Sequence, residues 1–185
     1  RYAVTESGVS PVSIPGKHTF GYVGTGIEHD ETAKPGYSPA LHTTMTHKRY
    51  RKLQLVVQES NDLVKYYGHE APEIGIIGWG STEGVIRDAV ATAMAKGIKV
   101  AAIHPKIINP LPNQVIADFI GKVKEVIIPE LNYTGQLAHF LLTEHKFNPI
   151  RLNKYGGVPF TPQDILNKIE EVHAMTNSHA MSVAK

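Results

Sequence analysis

The stretch EIGIIGWGSTEG, Glu73 to Gly84, joins a short apolar run to three glycines and leads directly into VIRDAVATAMAKG. Its first half is typical of a buried strand, because the apolar residues form a short continuous run that is followed by glycine. The second segment repeats apolar residues at helical spacing and ends at Gly97, a residue type common just after a helix. The stretch therefore predicts a strand, a tight turn and a helix whose inward face is formed by Val85, Ile86, Ala89, Val90, Ala93 and Met94.

The same order of strand and helix repeats downstream. Strand patterns occur in IKVAAIH (98–104), KEVIIPEL (124–131) and NPIRLNKY (148–155), and helix patterns follow at 111–121, 133–145 and 161–175. Strands separated by helices favour βαβ crossovers and a parallel sheet covered on both faces. We therefore predict an α/β fold with three layers, α/β/α, and a mostly parallel sheet whose strands begin near Ile74, Val100, Val126 and Pro149.

The last helix has a recognisable start. Thr161 and Asp164 lie three residues apart and predict a capping box, with Pro162 at the first helical position. The tail TNSHAMSVAK (176–185) is expected to fray.

The chain before the first strand is less regular. Residues 1–42 are rich in Gly, Pro, Thr and Ser, and TFGYVGTG (19–26) is predicted to be an edge strand. Residues 43–67 show a helical pattern and are interpreted as a linker helix. The predicted organisation is residues 1–42, a linker of 43–70 and an α/β domain of 71–185. The apolar positions of the predicted linker helix are Tyr50, Leu53, Val56, Val57, Leu63 and Val64.

The glycines of the opening stretch resemble a nucleotide-binding loop but depart from it. Their spacing is Gly-x-Gly-x-x-x-Gly, and the next strand ends in His104, where a dinucleotide site needs an acidic residue for the ribose. We therefore predict a structural tight turn. Gly80, Ser81 and Thr82 remain candidates for binding an anion, because a helix start offers free N–H groups.

Composition excludes several classes of function. The 185 residues carry 19 basic and 17 acidic side chains, a net charge of +2, and nothing in their pattern indicates a nucleic-acid partner. The absence of cysteine excludes disulfides, thiolate zinc sites, iron–sulfur ligation and thiol catalysis in this chain. The absence of cysteine also fits the cytoplasmic location that we expect. No apolar run approaches the length needed to cross a membrane. Because the sequence begins at Arg1, we expect a piece of a longer protein.

Two charged segments are weighed as sites. EHDE (28–31) is the densest group of acidic and histidine residues, and we interpret it as a solvated turn because a second ligand pair at helical spacing is missing. No metal ligand and no catalytic residue are assigned. Arg49, Arg51 and Lys52 form a basic stripe that is either solvated or an anion or interface site, with Arg49 as the candidate.

Several blocks, in order along nearly the whole chain, carry a family resemblance. They are SGVSPVSIPG (7–16), GTGIEHDE (24–31), HKRYRKL (47–53), IGIIGWGSTEG (74–84), HPKIINPLP (104–112), VIIPELNYTGQLA (126–138) and KYGGVPFTPQDI (154–165). With these blocks the chain resembles the C-terminal half of the alpha subunit of 2-oxoacid:ferredoxin oxidoreductases, especially the 2-oxoglutarate type.

The resemblance implies a fold and an activity. Residues 1–42 would be the closing edge of the domain that faces the pyrimidine of thiamine diphosphate, and 71–185 a transketolase C-terminal-like domain. The enzyme would oxidatively decarboxylate a 2-oxoacid with coenzyme A, converting 2-oxoglutarate to succinyl-CoA and passing electrons to ferredoxin. Thiamine diphosphate, magnesium and an iron–sulfur cluster are expected mostly on a beta subunit and other partner chains of an oligomer. This chain alone is expected to bind none of them and to be catalytically silent.

One position departs from the family pattern. Many relatives carry Arg directly after the Ser-Pro of the first block, where it would hold the substrate carboxylate. This chain has Val12 there, so either another residue supplies the charge or the substrate differs. Ser10 of the same block is a candidate for substrate binding. The alternative hypothesis is an anion-binding or assembly module of another thiamine-dependent 2-oxoacid dehydrogenase.

Overall fold

The computed structural model describes residues 1–17 and 21–183, with side chains described as far as residue 178. The chain divides into two compact units, Arg1–Glu59 and Ser60–Lys185, called unit 1 and unit 2 below. The domain limits expected at residues 42 and 70 stay a prediction.

Unit 1 is built on one long helix, α1, Pro39–Asn61, which runs two residues into unit 2. Ser38 caps the helix, since its side-chain oxygen accepts from the Leu41 N–H at 3.2 Å. Residues 21–26 form no strand, and residues 19–20 of the predicted edge strand lie outside the described part. Three of those six residues are glycines, which give a strand little side chain to bury.

A turn near the start of unit 1 approaches α1 closely. Gly8 has a φ of +78°, and its N–H donates to the Thr5 carbonyl at 3.2 Å. A Cβ at Gly8 would lie 2.5 Å from the Lys48 carbonyl oxygen, so only glycine fits there. Met45 and Lys48 are buried on this side of α1, whereas Tyr50, predicted on the apolar face, is exposed.

The linker helix predicted over residues 43–67 is too long at its C-terminal end. Helix α1 ends at Asn61, and Lys65–Gly68 forms an antiparallel edge strand, β1. Gly68 has a φ of +120°, and a Cβ there would meet the Val100 carbonyl oxygen at 2.5 Å. The left-handed backbone at Gly68 and the pairing with a later strand override the local helical pattern.

Unit 2 contains a five-stranded sheet. The strands after β1 are β2 (Ile74–Ile77), β3 (Val100–His104), β4 (Glu125–Glu130) and β5 (Ile150–Asn153), in the order β1-β3-β2-β4-β5. Strands β2 to β5 are mutually parallel and begin within one residue of the predicted positions, which confirms the α/β fold with a mostly parallel sheet. The helices are α2 (Glu83–Ala95), α3 (Asn113–Ile120), α4 (Gln136–His145) and α5 (Pro162–Val183).

Helix α5 continues eight residues beyond the predicted end at 175, so the helix includes most of the tail that was expected to fray. Its capping box is confirmed. The Asp164 carboxylate accepts from the Thr161 N–H at 2.8 Å, and the Thr161 hydroxyl accepts from the Asp164 N–H at 3.2 Å. None of the described helices is long and apolar enough to cross a membrane.

The core of unit 2 has two halves, one on each face of the sheet. Alternate residues of the strands point to opposite faces, so Ile74 and Ile76 pack with α2 and α5, while Ile77 and Ile103 pack with α3 and α4. The predicted inner face of α2 is correct except for Met94, which is exposed. This arrangement confirms the three predicted layers.

Candidate functional site

The turn between β2 and α2 contains the predicted anion-binding residues Gly80, Ser81 and Thr82. They form one 3₁₀ turn that leads directly into α2, with Gly80 at a φ of +59°. The Thr82 hydroxyl donates to the Trp79 carbonyl at 2.9 Å and accepts from the Trp79 N–H at 3.2 Å. Thr82 is 3% exposed. Its side chain therefore closes the turn, in agreement with the tight turn predicted from the glycines.

A crevice of about 200 Å³ lies between this turn and the loop that follows β4. Strands β2 and β4 are adjacent and parallel, and the helices that follow them pack on opposite faces of the sheet. In open α/β sheets such a point at the carboxyl ends of strands is a common place for ligands. Ser81 lines the crevice, and its hydroxyl has no hydrogen-bond partner within the described side chains. Gly80 and Ser81 are thus the accessible part of the predicted anion site.

The start of α4 is occupied by the chain's own carboxylate. Glu130, at the end of β4, is fully buried. Its side chain accepts from the Leu137 and Ala138 N–H groups at 2.9 and 3.0 Å, and from the Asn132 amide at 2.8 Å. The two backbone contacts satisfy two of the free N–H groups of the helix start. Glu130 therefore has a structural role on the β4 side of the crevice.

Glu83, the first residue of α2, connects several elements through its carboxylate. It accepts hydrogen bonds from Lys65 Nζ at 2.8 Å, from the Tyr67 hydroxyl at 2.5 Å and from Lys106 Nζ. These bonds, that of Lys106 above all, hold the pKa of Glu83 well below its usual range. In return the Glu83 bond raises the pKa of Tyr67. The carboxylate is therefore ionised and bonded within the chain.

His104 ends β3 beside this carboxylate. It is 2% exposed, and its Nδ1 lies 3.9 Å from Glu83 Oε2. Within the described part of the chain, neither ring nitrogen has a hydrogen-bond partner. Burial lowers the pKa of His104, and this outweighs the opposing effect of Glu83. A dinucleotide-binding site would need an acidic residue at this position. Here the position carries a buried, neutral imidazole.

Unit 1 contains a second, open cavity of about 400 Å³, here called the unit 1 cavity. The Gly8 turn, the EHDE segment and one side of α1 contribute to its walls. Glu28 is the acidic residue in the lining, against the basic residues Arg1, Lys48, Arg49 and Lys52. The cavity is therefore electropositive and chemically suited to an anion.

The candidates Ser10 and Arg49 both line the unit 1 cavity, so the structure brings these two together. Arg49 donates two hydrogen bonds to the Glu28 carboxylate, both at 2.9 Å, and thereby keeps the pKa of Glu28 low. The Ser10 hydroxyl donates to the Ala3 carbonyl at 2.9 Å. The charge of Arg49 is thus already balanced within the chain. Gly80, Ser81 and Thr82 belong to unit 2.

The EHDE segment is not the solvated turn that was predicted. His29 is buried, and its ring stacks on Tyr2 with the ring centres 4.7 Å apart. Asp30 accepts from the backbone N–H of Thr32 at 2.9 Å, and Glu31 accepts from the backbone N–H of Val4 at 2.6 Å. These side chains organise unit 1 itself. In the described part of the chain, no three metal-ligating side chains converge.

Lys48 and Glu83 are among the residues of these sites that were missed from the sequence. Lys48 lies beside the predicted basic stripe and is 8% exposed, with its Nζ donating to the Tyr2 carbonyl at 2.9 Å. Its burial depends on a loop more than 40 residues earlier, so no local signal could reveal it. Glu83 did have a signal, since an acidic residue in the first turn favours a helix start.

Comparison with known proteins identifies the family to which this chain belongs. The model of the pyruvate:ferredoxin oxidoreductase core domain II family matches residues 72–165, which is 94 of the 185 residues. The chain belongs to this family. The core domain II match includes strands β2 to β5 and the β2–α2 turn, whereas unit 1 precedes it.

The relatives of this core domain II chain are much longer proteins. It is 27% identical over 175 residues to 2-oxoacid:ferredoxin oxidoreductase 2, subunit alpha, of Aeropyrum pernix, covering 93% of this chain and 27% of that protein. It is 31% identical over 129 residues to the 2-oxoglutarate oxidoreductase subunit KorA of Mycobacterium tuberculosis, covering 70% and 19%. The chain thus spans about a quarter of the length of the first of these relatives.

A solved structure extends the similarity to both units. The 2-oxoglutarate:ferredoxin oxidoreductase from Magnetococcus marinus, with 2-oxoglutarate, coenzyme A and succinyl-CoA bound, is 42% identical with a TM-score of 0.84. The match covers 92% of this chain and 30% of that one. Similarity therefore extends beyond the core domain II residues into unit 1.

Proposed function

We propose that this chain is part of the alpha subunit of a 2-oxoacid:ferredoxin oxidoreductase that converts 2-oxoglutarate and coenzyme A to succinyl-CoA, with electrons passing to ferredoxin. The main support is the similarity, 42% identical over 92% of this chain, to an enzyme solved with these three compounds bound. The relative named 2-oxoglutarate oxidoreductase subunit KorA favours the same acid. A cytoplasmic location is part of this proposal.

The iron–sulfur cluster that this reaction needs does not fit the residues of this chain. The 185 residues contain no cysteine to ligate an iron–sulfur cluster. In our proposal the cluster is therefore held by another part of the complex, and we assign thiamine diphosphate and its magnesium to the partner chains as well.

The chain's own contribution is to shape binding surfaces and to contact the beta subunit. An exposed apolar cluster follows the carboxyl ends of β4 and β5, where Tyr133 and Tyr155 lie with ring centres 4.7 Å apart. Leu131 and Val158 are exposed nearby in the sequence. Exposed aromatic side chains are typical of protein interfaces. We assign this surface to subunit contact.

The predicted site residues keep candidate roles in this proposal. Ser10 and Arg49 would border an anionic part of the substrate in the unit 1 cavity. Gly80 and Ser81 would present backbone N–H groups at the start of α2, with Thr82 holding that turn in shape. Val12 is exposed and lines the unit 1 cavity, where its neutral side chain offers a carboxylate no charge.

The test uses the complete protein that contains this chain, co-expressed with its beta partner and purified without oxygen. We expect reduction of a viologen dye that requires both coenzyme A and 2-oxoglutarate. Pyruvate and 2-oxoisovalerate serve as matched acids without a second carboxylate. Faster reduction with either of them would overturn the assignment of 2-oxoglutarate. Absence of coenzyme A-dependent reduction with all three acids would overturn the proposed activity.

A further inference from the structure

The unit 1 cavity contains more positive charge than the chain neutralises. Its acidic lining residue, Glu28, is bonded twice to Arg49. Lys48 and Lys52 also line the cavity, and neither forms an ion pair with any carboxylate of the described residues. Two ammonium groups are therefore left over beside an open volume of about 400 Å³.

Lys48 is the unusual member of this pair, because a lysine is rarely so buried without an acidic partner. Its Nζ donates to the Tyr2 carbonyl oxygen at 2.9 Å, a neutral acceptor that uses one of three ammonium hydrogens. Burial, followed by the nearby charge of Lys52, lowers the pKa of Lys48 and outweighs the opposing effect of Glu31 and Glu28. A buried cation near a second cation is unfavourable, and an anion in the cavity would relieve both effects.

Lys52 lies one helical turn after Lys48, on the same side of α1. Its side chain has no hydrogen-bond partner within the described part of unit 1. The Gly8 turn fixes the backbone at this point, since a Cβ at Gly8 would lie 2.8 Å from the Lys52 nitrogen. Both lysines thus lie on a part of α1 that the Gly8 turn contacts, next to the cavity.

We propose that Lys48 and Lys52 form a binding site for a small dianion in the unit 1 cavity, with Lys48 as the buried contact and Lys52 as the accessible one. Two ammonium groups match the chemistry of a dicarboxylate or of a phosphate group. The proposed function enters only in the choice of 2-oxoglutarate as the dicarboxylate to test. The site itself is inferred from the cavity and its charges.

Binding is measured by calorimetry on the complete complex at low ionic strength, with inorganic phosphate and 2-oxoglutarate as separate probes. We expect saturable binding of at least one probe, weakened about tenfold or more by Lys52→Gln, because one charged hydrogen bond is removed. Lys17→Gln removes the same charge from an exposed residue of unit 1 that does not line the cavity and should leave the affinity unchanged. Whichever probe binds more tightly identifies the ligand as phosphate or dicarboxylate.

A charge reversal gives a second test. Lys52→Glu would place a carboxylate one turn from Lys48, so the variant should fold with an undiminished Tm and yet bind neither probe. Equal affinities for wild type and Lys52→Gln, or no binding of either probe to the wild type, would overturn the site. These outcomes are separate from the proposed function, which is judged by dye reduction, because anion binding requires no turnover.

Discussion

The β2–α2 turn and the unit 1 cavity look alike in their chemistry but differ in how their polar groups are satisfied. At the turn, Thr82 is bonded to the Trp79 backbone, and Glu83 is bonded to two lysines and a tyrosine. In the cavity, two lysines have no carboxylate partner among the described residues. The conspicuous glycine motif therefore has fewer unpaired charges than the unit 1 cavity, which no sequence motif marks. Charge that the fold leaves unpaired is the better guide to a ligand.

The largest expected effect comes from removing the turn that supports the cavity. Gly8→Ala should destabilise unit 1 by about 3 kcal/mol, because a left-handed backbone and a clash with the Lys48 carbonyl combine. Gly16→Ala is the matched control, with a φ of +80° and, apart from its two chain neighbours, no atom of the described residues within 4 Å of the added Cβ. It should cost about 1 kcal/mol. Urea unfolding monitors both, and equal losses would mean that the Gly8 turn does not pack against α1.

The second prediction concerns the β2–α2 turn and tests the hydrogen-bonded carboxylate of Glu83. Glu83→Gln should reduce the free energy of unfolding by about 1–2 kcal/mol at pH 7, since hydrogen bonds to a charged group become neutral ones. The folded-state pKa of Glu83 is lowered, so the stabilisation is present above its ordinary value of 4.5 and is lost as pH falls below it. The difference between variant and wild type should therefore shrink in acid. A difference that is constant from pH 7 to pH 3 would contradict the proposed ionic role.

A smaller effect separates the two hydroxyls of the β2–α2 turn. Thr82→Val should cost about 1 kcal/mol, because the Trp79 backbone N–H and carbonyl lose their partner. Ser81→Ala should change stability by less than about 0.5 kcal/mol, since Ser81 is exposed. Thermal melts of the Thr82→Val and Ser81→Ala variants measure the two losses of stability. Similar losses from both changes would show that the turn depends on Ser81 as well.

The smallest expected effect is a change in how steeply the free energy of unfolding depends on pH. Burial lowers the pKa of His104 in the folded state, so the unfolded chain binds the proton more readily below the ordinary value of 6.5. Stability should therefore fall as pH decreases below 6.5. His104→Leu should flatten this fall at little cost at pH 7, because neither ring nitrogen has a described partner. Parallel stability profiles for the two proteins between pH 7 and pH 5 would show that His104 does not titrate there.

The sheet was largely predictable because its signal is local. Strands such as Ile74–Ile77 are buried on both faces, and this requires the continuous apolar runs that the sequence displays. The capping box at Thr161 and the glycine after α2 at Gly97 are equally local, and both were found. Gly97 has a φ of +81°, which explains why a glycine ends that helix.

The remaining features depend on contacts between distant parts of the chain. Strand β1 shows no alternating apolar pattern and exists because it pairs with β3 and is bonded to Glu83. Lys48 is buried by a turn far upstream, and His29 is buried by stacking on Tyr2. A single sequence contains these residues but does not show the long-range contacts that determine their burial. For this reason the candidate site was only partly predicted, through Ser10 and Arg49.

The position of β1 in the sheet also bears on the order of events when the chain is made. Its register pairs Lys65 with His104 and Gly68 with Ala101, so every partner lies at least 33 residues further along. A ribosome releases β1 before the strand that completes its ladder exists. Strand β2 follows β1 immediately in sequence but lies on the other side of β3. Strand β1 can therefore pair with the sheet only after both β2 and β3 have been synthesised. It joins the sheet late in folding.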